Sequence, residues 1–202
     1  MIGIIDYGMG NIGSIVNSMN HLGANCGVIT NPKNLDTCER LILPGMGHFK
    51  TAIARLESGG FVEALLKIHG KGTTPILGIC LGMHLLANYS EEGQCAGLGF
   101  IPGNVRRFPG NNYPVPHMGW NEVKQVTEHP IMHGLSNSFY AYFAHSYYFI
   151  CESNSDVLAS TVYDITIDSI VGSGQIFGMQ FHPEKSSHAG VLLVKNFLSF
   201  SC

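Results

Sequence analysis

The spacing of apolar residues changes character about half-way along the chain, and that change predicts its organisation. Ile2 to Ile5 is a short apolar run that ends in the Gly-rich turn Tyr7 to Gly10. Ile12, Ile15, Val16, Met19 and Leu22 then recur at helical spacing until Gly23 stops them. Cys26 to Thr30 reads as a second strand broken by Asn31-Pro32, and Leu41-Ile42-Leu43 as a third, closed by Pro44-Gly45-Met46-Gly47. Ala52 to Ile68 predicts a helix interrupted at Gly59-Gly60. Pro75 to Ile79 predicts a fourth strand, and Cys80 to Asn88 the helix after it. Strand and helix alternate, the pattern of a parallel sheet with helices on both faces.

Beyond that point the runs are short and separated by Gly, Pro, Asn and Ser. Leu98–Asn104, Asn121–Val123, Tyr140–Phe143, Ser146–Ile150, Val157–Val162, Ile167–Val171 and Gln175–Phe181 are strand candidates. Val191 to Phe200 closes the chain as an amphipathic helix. No repeat or linker interrupts residues 1–202. The expectation is one α/β domain: a central, mostly parallel sheet flanked by helices, with an added antiparallel strand region.

Composition narrows the function classes. A chain of 202 residues buries roughly 70% of its unfolded surface and needs no metal or disulfide staple. Only 11 residues are Lys or Arg, the net charge is -3, and no basic stripe marks a nucleic-acid surface. Charged residues make up 12%, against about a quarter in ordinary soluble domains, which hints that another chain covers part of the surface. The start of the chain lacks the basic segment of a signal peptide. The longest apolar-aromatic stretch, Phe139–Ile150, contains His145 and Ser146 and falls short of the roughly 20 residues that span a bilayer. A soluble, cytoplasmic protein is expected. Cys26, Cys38, Cys80, Cys95, Cys151 and Cys202 form no C-x-x-C pair, so most read as small buried hydrophobes.

Cys80 stands apart. Gly78-Ile79-Cys80-Leu81-Gly82 lies between a buried strand and a helix, the setting of a nucleophile elbow. Flanking glycines permit a sharp turn and close substrate approach, and unpaired N–H groups at the helix start favour the reactive thiolate. Late in the chain, Gln180-Phe181-His182-Pro183-Glu184 ends the last strand candidate. Residues two apart on an extended backbone share a side, so Glu184 can orient the His182 imidazole while its other nitrogen meets the sulfur. Each feature alone has a bland reading; at the ends of strands in one sheet, together they predict a Cys-His-Glu triad.

Other features carry less. Gly8-Met9-Gly10-Asn11-Ile12-Gly13 matches a dinucleotide fingerprint, but no acid follows at the required distance; Gly27 to Thr30 offers none. His21, His69, His129, His133 and His188 read as surface or loop residues, and no metal-ligand spacing appears. The aromatic cluster Phe139 to Phe149 reads as strand packing, with His145-Ser146-Tyr147 worth keeping.

G-I-C-L-G followed late by F-H-P-E resembles the class I (triad) glutamine amidotransferases. Asp6-Tyr7-Gly8-Met9-Gly10-Asn11, Pro44-Gly45-Met46-Gly47, Pro116-His117-Met118-Gly119-Trp120-Asn121, His145-Ser146-Tyr147 and Phe181 to Ser186 narrow the likeness. They point to the glutaminase subunits of imidazole glycerol phosphate synthases, in the family's order over nearly the whole chain. The resemblance implies a flavodoxin-like fold and hydrolysis of L-glutamine by Cys80, His182 and Glu184 without a cofactor or metal. It implies an oxyanion hole at Leu81, Gly45 and Met46, each donor worth about 3 kcal/mol, and glutamine contacts at Gly45, Gly47, Ser146 and Tyr147. It also implies a heterodimer with a (β/α)8-barrel cyclase near Asn11, His117, Met118, Trp120, Tyr142 and Lys185, which would take up the ammonia. One of the implied glutamine-contact positions departs: four residues after the nucleophile the family usually has Gln, and this chain has His84. That leaves a paralogous role, ammonia supply for amidino groups on surface sugars, as an alternative.

Overall fold

Residues 1–110 and 112–200 are described by a computed structural model; Cys202 lies outside them. The first half alternates as its pattern predicts: β1 (Ile2–Ile5), α1 (Ile12–His21), β2 (Cys26–Ile29), β3 (Arg40–Leu43), α2 (Phe49–Ser58), α3 (Phe61–Lys71) and β4 (Ile76–Ile79). The helical segment breaks at Gly59-Gly60, where Gly60 takes φ 72°. Then come α4 (Leu81–Leu85), β5 (Tyr89–Ser90), β6 (Cys95–Ala96), β7 (Gly103–Arg107), β8 (His117–Gln125), β9 (Ser138–His145) and β10 (Tyr147–Cys151). β11 (Val157–Tyr163), β12 (Ile165–Ser173), β13 (Ile176–Met179) and α5 (Ser187–Ser199) complete the chain.

Among the described residues the strands form sheets of nine and four. The large sheet runs β2-β1-β3-β4-β13-β12-β11-β8-β9. From β2 to β13 neighbouring strands are parallel, and from β13 to β9 they are antiparallel. The antiparallel region expected from sequence therefore extends the same sheet, which is mixed. Its parallel part has the doubly wound order that places ligands outside the carboxyl ends of the strands. One core, with Phe49 and Leu56 of α2, Leu65 of α3 and Met83 of α4, covers one face. The other contains Ile15 and Met19 of α1 with Leu193 and Phe197 of α5.

Two second-half expectations are corrected. The helix after Cys80 stops at Leu85 rather than Asn88, because returning chain takes its carbonyls: Leu98 N–H bonds Leu85 O, Phe100 N–H bonds Leu86 O and Gly99 N–H bonds Ala87 O. The strand expected over Leu98–Asn104 begins only at Gly103, since the preceding residues are committed to that contact. β7 instead pairs with β10 and β5 in the small sheet.

Glycines set the distance between α4 and the large sheet. Gly78 of β4 and Gly178 of β13 are register partners. A Cβ on Gly78 would stand 2.5 Å from Gly82 O, and one on Gly178 would stand 2.6 Å from Met83 Cγ. A Cβ on Gly82 would collide with Leu43 O of β3. Gly78→Ala is expected to destabilise the fold by about 1–3 kcal/mol. Gly178→Ala should cost less, because the atom it meets belongs to the flexible Met83 side chain. Denaturant midpoints check this order; an unperturbed Gly78→Ala protein would mean that the helix does not sit this close.

Candidate active site

The carboxyl ends of β1, β3, β4 and β13 deliver the loops that build the site. After β4 the chain turns so tightly that Cys80 adopts φ 55°, a left-handed conformation costly for a residue with a Cβ. The turn is closed by Met83 and His84 N–H bonds to Cys80 O, at 3.0 and 3.2 Å. Cys80 N–H is anchored on Met179 O of β13 at 2.8 Å. The thiol is largely enclosed, with Sγ 4.0 Å from Ala144 O of β9.

His182 follows β13, and its N–H bonds Tyr142 O of β9 at 3.0 Å. Pro183 starts a short 3-10 turn, Pro183–Lys185, that swings Glu184 back beneath the ring. His182 Nδ1 donates to Glu184 Oε1 at 2.9 Å, which leaves Nε2 for the cysteine. Ser186 locks the arrangement: its hydroxyl donates to His182 O at 2.7 Å and accepts from Tyr142 N–H at 3.0 Å. Burial lowers the basicity of His182, but the neighbouring Cys80 sulfur and the Glu184 carboxylate outweigh it and push the imidazole up to about 9. Cys80 and His182 open onto one cleft of about 290 Å³. A sulfur beside an imidazole that readily holds a proton, with a carboxylate behind it, is the apparatus of nucleophilic acyl transfer.

Comparisons with known proteins identify the family. The family model described as glutamine amidotransferase class-I matches residues 3–199. A protein of Methanococcus maripaludis called imidazole glycerol phosphate synthase subunit HisH 2 is 44% identical over 98% of both chains. The HisH subunit of Geobacillus kaustophilus is 42% identical over 100% of this chain and 97% of its own. The chain belongs to the class I glutamine amidotransferases, among the HisH subunits. Solved structures share the fold at lower identity. A glutamine amidotransferase crystal structure superposes with TM-score 0.77 at 21% identity, covering 98% of this chain and 97% of the other. PurLQS of Thermotoga maritima superposes with TM-score 0.76 at 18% identity, over 98% and 97%.

The amidotransferase brings further sequence-selected residues to the same cleft: Met46, Gly47, Leu81, His84, Ser146 and Tyr147 line it. Gly45 packs against the elbow, where a Cβ would stand 2.8 Å from Gly82 N. The Gly8–Gly13 loop props up this region. Gly10 lies against Pro44, Arg55 bonds Gly8 O, and Tyr7 donates to Pro44 O at 2.9 Å. His84 is enclosed, and its Nε2 donates to Gln180 Oε1 at 2.7 Å. Burial, partly offset by Gln180, pushes His84 down to about 4, so it is neutral near pH 7. Met118 is 64% and Trp120 52% exposed on β8. Lys185 Nζ sits 5.6 Å above the Tyr142 ring, and Asn11 is exposed while capping α1 through Ser14 N–H. His117 is different, for its ring is enclosed within the chain itself.

Sequence reasoning missed Glu92 and Ser186. Glu92 lies between β5 and β6, accepts from Phe49 N–H at 3.0 Å and lines the cleft. Burial raises its carboxyl above the ordinary range, against the Phe49 bond. No motif surrounds it. Ser186 sits in a segment quoted for its likeness, but only the fold shows what its hydroxyl holds. Among the described residues no helix is long and apolar enough to cross a membrane, and no cluster of three His, Cys, Asp or Glu could hold a metal.

His182 supplies a pH test. Its folded value lies above the ordinary imidazole 6.5. The stability it contributes is therefore complete below about pH 6.5 and is lost as pH rises through about 9. Cys80→Ala and Glu184→Gln each remove a raising interaction and should shift the ring's titration downward. NMR titration of the ring resonances reads this directly; unchanged values in both variants would contradict the arrangement.

Proposed function

We propose that the chain hydrolyses L-glutamine to glutamate and ammonia through a thioester on Cys80. The observation that carries the reading is the imidazole of His182, held by Glu184 on one nitrogen and set beside the Cys80 sulfur. His182 takes the thiol proton, and the sulfur attacks the side-chain carboxamide carbon. The resulting oxyanion is held by the Leu81 N–H and by the Gly45-Met46-Gly47 loop. Collapse breaks the carbon–nitrogen bond as His182 returns its proton to the leaving ammonia. Water, deprotonated by His182, then attacks the thioester and frees glutamate and the thiol.

The cleft offers one carboxylate lining it, Glu92, which suits the α-ammonium of the substrate. Ser146, Tyr147 and Gly47 contribute the other wall. Neutral His84, donating to Gln180, presents its Nδ1 as an acceptor where the family usually has Gln.

The ammonia passes to a (β/α)8-barrel cyclase subunit that forms imidazole glycerol phosphate and an aminoimidazole carboxamide ribotide in histidine biosynthesis, in the cytoplasm. Ammonia released into neutral water would be protonated, so the acceptor must cover the exit. The exposed Met118 and Trp120, with Tyr142 and Lys185 beside them, offer the covering face, to which the resemblance adds the exposed Asn11. The departure from the family's usual Gln at His84 motivates a second reading with the same chemistry: a partner that amidinates surface sugars.

Cys80→Ala is expected to lower glutamine hydrolysis by at least about 10³-fold while added ammonium still feeds the partner's reaction. Loss of both activities would contradict the division of labour. Trp120→Ala should weaken association with the cyclase by about 2 kcal/mol, the scale of a buried aromatic anchor, as read by calorimetry; unaltered affinity would place the interface elsewhere. Reconstitution with the organism's histidine cyclase separates the two readings. Glutamine-dependent formation of imidazole glycerol phosphate supports the first, and activation only by a sugar-pathway partner supports the second.

A further inference from the structure

His117 of β8 and His145 of β9 face each other as register partners, one strand apart. His145 Nδ1 lies 2.7 Å from Tyr147 O. A carbonyl can only accept, so that nitrogen carries the proton, and Nε2 of a neutral ring is then an acceptor. His117 Nδ1 lies 2.9 Å from His145 Nε2 and must donate to it. His117 Nε2, now an acceptor in turn, receives the Asn121 amide at 3.2 Å. Asn121 cannot flip without loss, because its oxygen accepts from Glu122 N–H at 2.8 Å and its amide also donates to Val162 O at 3.1 Å. Every bond in the series runs the same way.

Its surroundings keep the series intact. The His117 ring is stacked between Tyr163, at 3.9 Å, and Phe143, at 4.6 Å, with interplanar angles of 20° and 22°. Burial pushes His117 down to about 4. Burial, followed by the neighbouring histidines 117, 84 and 182, lowers His145 well below its ordinary range against the Tyr147 bond. Both rings are therefore neutral near pH 7. An added proton would face another donor somewhere along the series.

The series ends at the backbone of the cleft wall. Tyr147 O takes the last bond, and Ser146 O accepts from Phe108 N–H at 3.2 Å. Ser146 and Tyr147 are thereby held from both sides where they line the cleft. We propose that Asn121, His117 and His145 form a one-way hydrogen-bond chain that positions the Ser146–Tyr147 wall for substrate, with His117 as a positioning residue that touches no substrate. This inference rests on the glutamine reading of the cleft.

The chain has a spectroscopic signature. Neutral imidazole in water mostly carries its proton on Nε2, whereas both rings here carry it on Nδ1. Nitrogen-15 shifts assigned to the His117 and His145 rings of the wild-type protein should each report a neutral Nδ1–H form. An Nε2–H form at either ring overturns the proposal without any variant.

Its role in positioning is read on the full chain by the concentration dependence of Cys80 alkylation with the glutamine analogue 6-diazo-5-oxo-L-norleucine, followed by mass spectrometry. His117→Phe keeps the aromatic stack and removes the donor. His117→Asn loses the stack and places an amide near the position of Nδ1. The proposal expects half-saturation to rise about tenfold in His117→Phe, the cost of one ordering hydrogen bond. The limiting rate should change by less than about threefold, and His117→Asn should recover most of the loss. A packing role alone gives the opposite order, with Phe tolerated and Asn impaired, and that result overturns the proposal. Wild-type protein that is not alkylated would sink the glutamine reading instead, leaving the tautomer measurement to judge the hydrogen-bond chain.

Discussion

The active site depends on how closely a five-residue helix is pressed onto the sheet. Gly78 and Gly178, paired across β4 and β13, remove the side chains that would lift α4, and Gly82 removes the one that would meet β3. The strand must then turn into the helix over a single residue, and Cys80 absorbs the turn at φ 55°. Such strain costs on the order of 1–3 kcal/mol. Packing on both faces of the sheet sustains it.

The rest of the chemistry comes from the neighbouring strand. β13 lies beside β4, so the residues that follow each strand emerge side by side: Cys80 from one and His182 from the other. The turn at Pro183 brings Glu184 to the ring, and Ser186 ties the turn to β9. The antiparallel extension thus has a direct part in the site. Its edge strand braces His182, and His145 at its end bonds Tyr147 O, in the segment that also lines the cleft. The same extension bears the exposed Met118 and Trp120. The outward face lies on β8, and Ser146 and Tyr147 of the cleft lining follow directly on its partner strand β9.

Much of this was legible because local rules fix it. Glycines flanking a cysteine between an apolar run and a helical pattern mark the elbow, and His182 and Glu184 do pair, although a 3-10 turn at Pro183 joins them rather than the extended backbone expected from their spacing. The parallel half follows from its alternating periods. What stayed hidden depends on contacts between distant segments. The end of α4 is set by residues 98–100 returning to its carbonyls, which no helix propensity at Leu86 or Ala87 reports. Gly178 looks like any strand glycine until register pairs it with Gly78. Glu92 lies in a loop with no motif. His117 is expected near the partner face from the family resemblance alone, yet strand alternation beside the exposed Met118 turns its ring inward.

The central claim is that close seating of α4 forces the cysteine into its strained turn and thereby aims the sulfur at the cleft beside His182. A crystal structure of the protein with a glutamine analogue covalently attached to Cys80 tests it most directly. The account predicts a positive φ at Cys80, the adduct inside the cleft, and its carbonyl oxygen between the Leu81 N–H and the Gly45–Gly47 loop. A relaxed, negative φ at Cys80 with the adduct directed away from His182 would contradict it.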